Sequence, residues 1–263
     1  MSTKSIRFLL CMASIALVVI SCTRKDVATL LESQSPNGQA NVKIVHASAY
    51  TTNYSVHLRV NGVRVSNNMT NATPFPGGGL NTGGASSPWY MALTPGITSI
   101  TLSVPSVVSG TDSFSLYTGS TYFGADRYYT AFLTDTAAKT QLVILNDDLK
   151  LPANGFTRYR FVNLMPNQLS LDLYAGANKV ASDIVYKTTS PDFLLAKNDT
   201  VRWYIRPAGS APNSTPIALY PLIAPTFASP QTVPNQRVMT VFARGYNGGT
   251  GNRAPNVSLL YNH

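Results

Sequence analysis

Val42-Lys43-Ile44-Val45-His46-Ala47, followed by Ser55-Val56-His57-Leu58-Arg59-Val60-Asn61-Gly62, decides the fold. In the second stretch Val56, Leu58 and Val60 alternate with His57, Arg59 and Asn61. An extended strand turns successive side chains to opposite faces, so a period of two sends one set inward and the other toward water. Asn61-Gly62 then supplies a tight turn. This is the signature of a half-buried β-strand entering a hairpin.

The same alternation continues outward along the chain. Ile100, Leu102 and Val104 alternate with Thr101, Ser103 and Pro105, and Leu142-Val143-Ile144-Leu145 forms a denser apolar run closed by Asn146-Asp147-Asp148. Asn61-Gly62, Pro95-Gly96, Gly119 and Gly124 mark turns between strands. The script then runs again: Tyr159-Arg160-Phe161-Val162-Asn163-Leu164 matches the opening stretch, and Ser170-Leu171-Asp172-Leu173 matches Ser55-Val56-His57-Leu58. Ser190-Pro191-Asp192-Phe193 matches Ser87-Pro88-Trp89-Tyr90, and Met239-Thr240-Val241-Phe242 matches Tyr129-Thr130-Ala131-Phe132. Leu260-Tyr261-Asn262 closes the series against Ile144-Leu145-Asn146.

Order and spacing are kept, which predicts a tandem duplication joined at Lys150-Leu151-Pro152-Ala153-Asn154-Gly155. The fold class is all-β. About seven short strands per copy predict two tandem immunoglobulin-like or transthyretin-like β-sandwich domains, over residues 40–149 and 156–263. The core positions expected are Val56, Leu58, Ile100, Leu102, Phe132 and Ile144 in the first, and Phe161, Leu171, Leu173, Trp203 and Phe242 in the second.

The chain opens differently. Lys4 and Arg7 precede an almost wholly apolar run over residues 8–20, which ends in Val19-Ile20-Ser21-Cys22. A charged head, an apolar stretch of about thirteen residues and a small residue at the cut make a secretory signal, too short for the roughly twenty residues of a membrane span. Cys22 directly after the cut resembles the acylated cysteine of a bacterial lipoprotein signal. Residues 1–21 are thus expected to be removed and Cys22 to carry lipid, with residues 22–39 as a tether. Thr23 follows Cys22 where aspartate would favour inner-membrane retention, so the outer membrane is the expected location.

Composition narrows the function classes. The formal charge of +9 falls to +7 once Lys4 and Arg7 leave, and the remaining cations are scattered singly rather than massed in a patch. Export and scattered charge argue against a nucleic-acid partner. Cys11 leaves with the signal and Cys22 is acylated, so the mature chain has no disulfide and its stability must come from buried apolar surface.

At this point the residues carry a resemblance. Val42-Lys43-Ile44-Val45-His46-Ala47-Ser48, Val56-His57-Leu58-Arg59-Val60-Asn61-Gly62 and Tyr90-Met91-Ala92-Leu93-Thr94-Pro95-Gly96 resemble a bacterial secreted family, domain of unknown function 4397. Tyr128-Tyr129-Thr130-Ala131-Phe132 and the Asp147-Asp148 ending also match. The resemblance implies tandem β-rich repeats on exported or surface-attached proteins, and no chemistry. In the second copy Asn163 replaces the signature histidine and Lys197-Asn198-Asp199 replaces Thr94-Pro95-Gly96.

Catalytic sets are not in evidence. The three histidines, His46, His57 and His263, have no spacing suited to zinc. His46 reads as a residue bonding turn backbone, His57 as a solvated face residue and His263 as a mobile end. No Gly-x-Ser-x-Gly elbow exists, and Asp147 and Asp148 are adjacent turn residues rather than a positioned carboxylate pair. No enzyme, cofactor or metal is expected. Pro76-Gly77-Gly78-Gly79-Leu80-Asn81-Thr82-Gly83-Gly84 reads as a long flexible loop, and residues 245–252 as the hairpin of the last two strands.

Binding candidates are Trp89 beside the first glycine loop, Tyr246 near the tip of the last hairpin, and Arg202, Tyr204 and Arg206 on one outward face. Arg160 sits at the edge of the same repeat, and the stripe could hold an anionic glycan or lipid headgroup. Trp203 is in step with Val201 and Ile205, hence core. The expectation is a non-catalytic cell-envelope lipoprotein, membrane-attached through its lipid, that binds a glycan or other envelope component. The alternative is a structural subunit of a fimbria-like or surface assembly.

Overall fold

The computed structural model describes residues 37–50, 54–106, 108, 111–136, 139–221 and 231–263. The signal peptide, Cys22 and all but the end of the tether lie outside the described residues. In the first half, β1 (Ala40–His46), β2 (His57–Val60), β3 (Val63–Arg64), β4 (Pro74–Phe75) and β5 (Gly79–Leu80) lead to β6 (Met91–Leu93). The long β7 (Gly96–Pro105) and β8 (Asp112–Phe123) follow, then β9 (Arg127–Thr134) and β10 (Gln141–Asp147). The second half runs through β11 (Phe156–Asn163), β12 (Ser170–Ala175), β13 (Asn178–Val185), β14 (Phe193–Ala196) and β15 (Thr200–Val201). It closes with β16 (Trp203–Pro207), β17 (Ala218–Tyr220), β18 (Gln231–Thr232), β19 (Val238–Arg244) and β20 (Asn256–Tyr261). There is no α-helix among the described residues, so the fold is all-β and sandwich-like.

Each half is organised around one parallel pair. β1 lies parallel to β9 from Ala40↔Arg127 to His46↔Leu133, and β10 returns antiparallel along β9. β6 and β4 share the other edge of β1. The facing sheet has the order β3-β2-β7-β8. In the second half β11 lies parallel to β19, β20 returns along β19, and β14 takes the far edge of β11. Its facing sheet has the order β13-β12-β16-β17.

Alternation builds the two cores. Val56, Leu58, Ile100 and Leu102 are buried with Val42, Ile44, Ala131 and Leu133 in the first, and Phe161, Leu171, Leu173 and Trp203 with Met239 and Leu259 in the second. Trp203 rests against Tyr159, with ring centroids 5.2 Å apart, and its indole N–H donates to Gln231 at 3.0 Å.

Five expectations are corrected. Phe132 and Phe242 do not belong to separate cores. They meet in a third cluster with Val45, Ala47, Val143, Val162, Leu164 and Leu260, because the two parallel-pair sheets carry apolar residues on both faces and stack on each other. Ile144 is only partly buried, on an edge strand whose Val143 takes the seam side instead. The glycine-rich stretch is not a loose loop: Gly79 and Leu80 pair with Leu260 and Leu259 of β20, so a segment of the first half forms the edge of the second half's sheet. His57 is buried rather than solvated, since the chain returns over it through the Val56↔Met69 bridge and Asn68. The last residue is also tied down: Val238 N–H donates to the His263 carbonyl at 3.1 Å. Residues Asn37–His263 accordingly form one compact unit.

Candidate functional site

Among the described residues, the most chemically dense place is the seam between the two stacked sheets. Its middle is apolar, with the Phe132 and Phe242 rings 5.2 Å apart. Toward the Asn41 end it turns polar. Lys43, fully buried on β1, donates to the Tyr261 carbonyl and lies 4.6 Å from the centre of the Tyr90 ring. Tyr90 O–H donates to Asp147 at 2.8 Å, Thr130 O–H donates to the same carboxylate at 2.6 Å, and Arg160 pairs with it from the other sheet. Asn262 closes the ring, donating to Tyr90 at 3.0 Å and accepting from Thr240 at 2.8 Å.

Electrostatics follow burial. Removal from water pushes the Lys43 ammonium down to about 7, with the Asp147 charge pulling the other way. Burial, reinforced by Asp147, pushes the Tyr90 hydroxyl up. Asp147, expected in a turn, is the last residue of β10 and anchors this network. Next to it a cavity of about 110 Å³ is lined by Asn146, Asp148, Arg158 and Asp192 among others. Arg158 spans it to Asp148 at 2.7 Å and Asp192 at 3.5 Å. Ligand pockets run to roughly 300–1,000 Å³, so this space suits water rather than a sugar. The charges are spent on one another, and the arrangement is a bolt between the halves.

Further bolts lie at the opposite end. Arg244 donates to Ser258 at 2.9 Å and to Asn71 at 3.2 Å, Asn81 donates to the Val257 carbonyl at 2.7 Å, and Arg253 donates to the Ala49 carbonyl at 3.1 Å.

His46 closes β1 as a backbone-bonding residue. Its Nε2–H donates to the Tyr54 carbonyl at 3.0 Å, while Nδ1 is buried without a hydrogen-bond partner. Protonating Nδ1 would bury an uncompensated charge, so burial drives the imidazole down to about 4, against the opposing pull of the Tyr54 bond. The folded state thus binds this proton more weakly than the unfolded chain does at about 6.5. Stability from His46 is complete above that value and is lost as pH falls from about 6.5 toward 4, by about 3 kcal/mol in all. Urea midpoints measured across this window should fall with acid. They should fall much less in His46→Asn, which installs the residue that Asn163 provides at the end of β11. An unchanged acid slope in the variant would contradict the assignment.

The five binding candidates do not converge. Trp89 is 59% exposed. It adjoins Tyr90 and the Asn41 end of the seam, whereas Tyr246 lies at the Ala49 end, half-buried under Arg253 with the guanidinium 4.7 Å from its ring. Arg206 is buried: its guanidinium lies 4.7 Å from the Tyr174 ring and 5.4 Å from that of Tyr204, and its Nε donates to the Ser214 carbonyl at 2.9 Å. The stripe is therefore covered by its own loop, with Arg202 and Tyr204 half-buried beside it. Arg160 is not part of it, being committed to Asp147. Beneath, burial works to raise the Asp172 carboxyl, but Lys179 at 2.6 Å and the Asp183 and Gly209 amides outweigh it and lower it. A separate groove of about 430 Å³, lined by Val60, Val65, Phe75, Pro76, Met91 and Leu93, presents only apolar side chains.

Lys43, Asp147, Arg160 and Asn262 were not legible as partners, because each is unremarkable among its neighbours in the sequence. A signal did exist: the unbroken apolar run Leu142-Val143-Ile144-Leu145 puts apolar side chains on both faces of β10, with Val143 entering the seam and Leu142 and Ile144 packing against the first core.

Fold and site together describe an all-β protein with two sandwich-like halves locked across a polar and aromatic seam. The chain belongs to the family described as domain of unknown function DUF4397, which matches residues 40–174, more than half of its length. The match begins with β1 and ends within β12. None of the curated proteins compared matches the chain.

Proposed function

We propose that this chain is a non-catalytic, lipid-anchored protein of a bacterial cell envelope whose rigid body displays a binding surface for a glycan or another surface component. The observation that carries the reading is Trp89. Its indole is left in water on a backbone that cannot drift: Gly78 N–H donates to the Ser87 carbonyl at 3.1 Å, and the next residue, Tyr90, is bonded to Asp147 and Asn262. A fixed, exposed aromatic face suits stacking on a sugar ring.

Two tandem immunoglobulin-like or transthyretin-like sandwiches accompany this reading. The like arrangement of β1 with β9 and of β11 with β19 supports a duplication. An experimental structure in which either pair ran antiparallel would contradict it. The anchor rests on Val19-Ile20-Ser21-Cys22, and a diacylated Cys22 is expected in the membrane fraction. An unmodified N-terminus in the soluble fraction would overturn that part.

A glycan array probed with the protein and with Trp89→Ala tests the binding role. Binding to at least one polysaccharide is expected, weakened tenfold or more in the variant. Because the ring is exposed, the unfolding midpoint should not move. An array without hits, or equal binding by the variant, would remove the proposal.

A further inference from the structure

Among the edge strands of the described residues, β8 is the longest and the least guarded. It covers Asp112–Phe123, 12 residues, and pairs with β7 alone. Asp112, its first residue, is taken by Arg59 at 2.7 Å; from Ser113 to Phe123 there is no charge and no proline. A sheet edge offers a row of unpaired backbone donors and acceptors, and proteins ordinarily blunt such edges with lysine, proline or brevity. The other edges are blunted. β3, β4, β5, β6, β14, β15, β17 and β18 have only two to four residues, and β13 carries Lys179 and Asp183. β10 is engaged at both ends, by Lys187 at Gln141 and by Arg160 at the Asn146 carbonyl.

The register along β8 says how a partner would sit. Irregularities opposite Leu102/Ser103 and Val104/Pro105 break the first part of the strand, leaving residues 117–123 as a regular run paired with Leu102 back to Gly96. We propose that β8 is an association edge for a second copy of this chain, paired antiparallel about a two-fold axis at Ser120. In that register Tyr122 faces the partner's Thr118 on the outer side of the sheet, while Phe123 stays in the first core on the inner side. Aromatic–β-branched pairs of this kind stabilise antiparallel strands. Tyr122, 68% exposed, and its β7 neighbour Ile97, 80% exposed, flank the new contact and lose water to it.

A second copy fits better than a charged peptide because the run has no charge to select one. An isologous contact closes at two copies and does not propagate. Seven paired residues sit at the small end of interface sizes, so the dimer is a weak one, strengthened where copies share a surface. This surface is separate from Trp89 and goes beyond the binding role proposed for it.

The test uses the full chain carrying Cys22→Ser, which removes the acyl acceptor. Sedimentation velocity over a concentration series into the high-micromolar range should show a monomer–dimer equilibrium. Ser120 is exposed and lies at the axis, so S120K sets like charges directly opposite each other and should weaken the dimer at least tenfold, as should S120E. An equimolar mixture of the two should restore it. A wild type that stays monomeric, one that builds open chains, or an S120K protein that dimerises like wild type would overturn the proposal. Should either variant misfold, hydrogen exchange on the unsubstituted chain decides: amides of residues 117–123 should slow with rising concentration, and no change would overturn it.

Discussion

Phe242→Ala is expected to destabilise the protein by about 3–5 kcal/mol, the usual cost of emptying a buried aromatic site. Phe242 is fully buried among Val45, Phe132, Val143, Val162, Leu164 and Leu260, drawn from both halves. The hole opens in the seam, where neither sheet can collapse without losing its register on the other. For a body of this size each kcal/mol is worth about 2–4 °C, so the thermal midpoint should fall by roughly 6–20 °C. Phe132→Ala should cost a similar amount, and the double variant less than the sum, because the two rings touch. Additive effects would mean that the rings sit in separate cores.

Gly79→Ala is the second large effect. A Cβ built on Gly79 would stand 1.8 Å from the Leu259 carbonyl oxygen and 2.7 Å from the Leu260 Cα. Both are backbone atoms of β20, which cannot step aside without breaking its ladder with β19. The one methyl group must expel β5 from the sheet edge, taking Leu80 from the second core and loosening Asn81, which bonds Asn256 and the Val257 carbonyl. Overpacking costs typically about 1–3 kcal/mol, and a backbone clash puts this case at the upper end or above. Hydrogen exchange should show β20 amides losing protection. Gly62→Ala is the control: nothing lies within 4 Å of its Cβ position, so only the strain of its positive φ is felt. Equal effects from the two substitutions would sink the strand-donation account.

These two sites mark the limit of what alternation reveals. A period of two identifies strands such as β2, β7 and β12 because apolar and polar residues alternate along them, and Leu58, Ile100 and Leu173 fall in the cores where the pattern puts them. β1 and β19 are buried on both faces, and their outer residues, Lys43, Val45, Thr240 and Phe242, read like any half-polar strand side. Nothing local in Phe242 says which core it enters. β5 is harder still. Two residues among glycines have no period, and what makes them a strand is β20, more than 170 positions away. The ion pair of Asp147 with Arg160 likewise exists only because two sheets stack. Of the binding candidates, exposure of Trp89 agrees with its place beside a loop, while the burial of Arg206 depends on a loop folding back over its own strand.

Cooperative unfolding tests the central claim, that residues 37–263 are one body held by the seam. Trp203 is buried in the second half, and Trp89→Phe leaves it as the only tryptophan. In that background its fluorescence reports the second half alone, while Phe132→Ala lies in the first. The account predicts a single urea transition, with Phe132→Ala shifting the Trp203 midpoint as far as it shifts the loss of strand signal by circular dichroism. Two separate transitions, or a Trp203 midpoint that ignores Phe132→Ala, would contradict it.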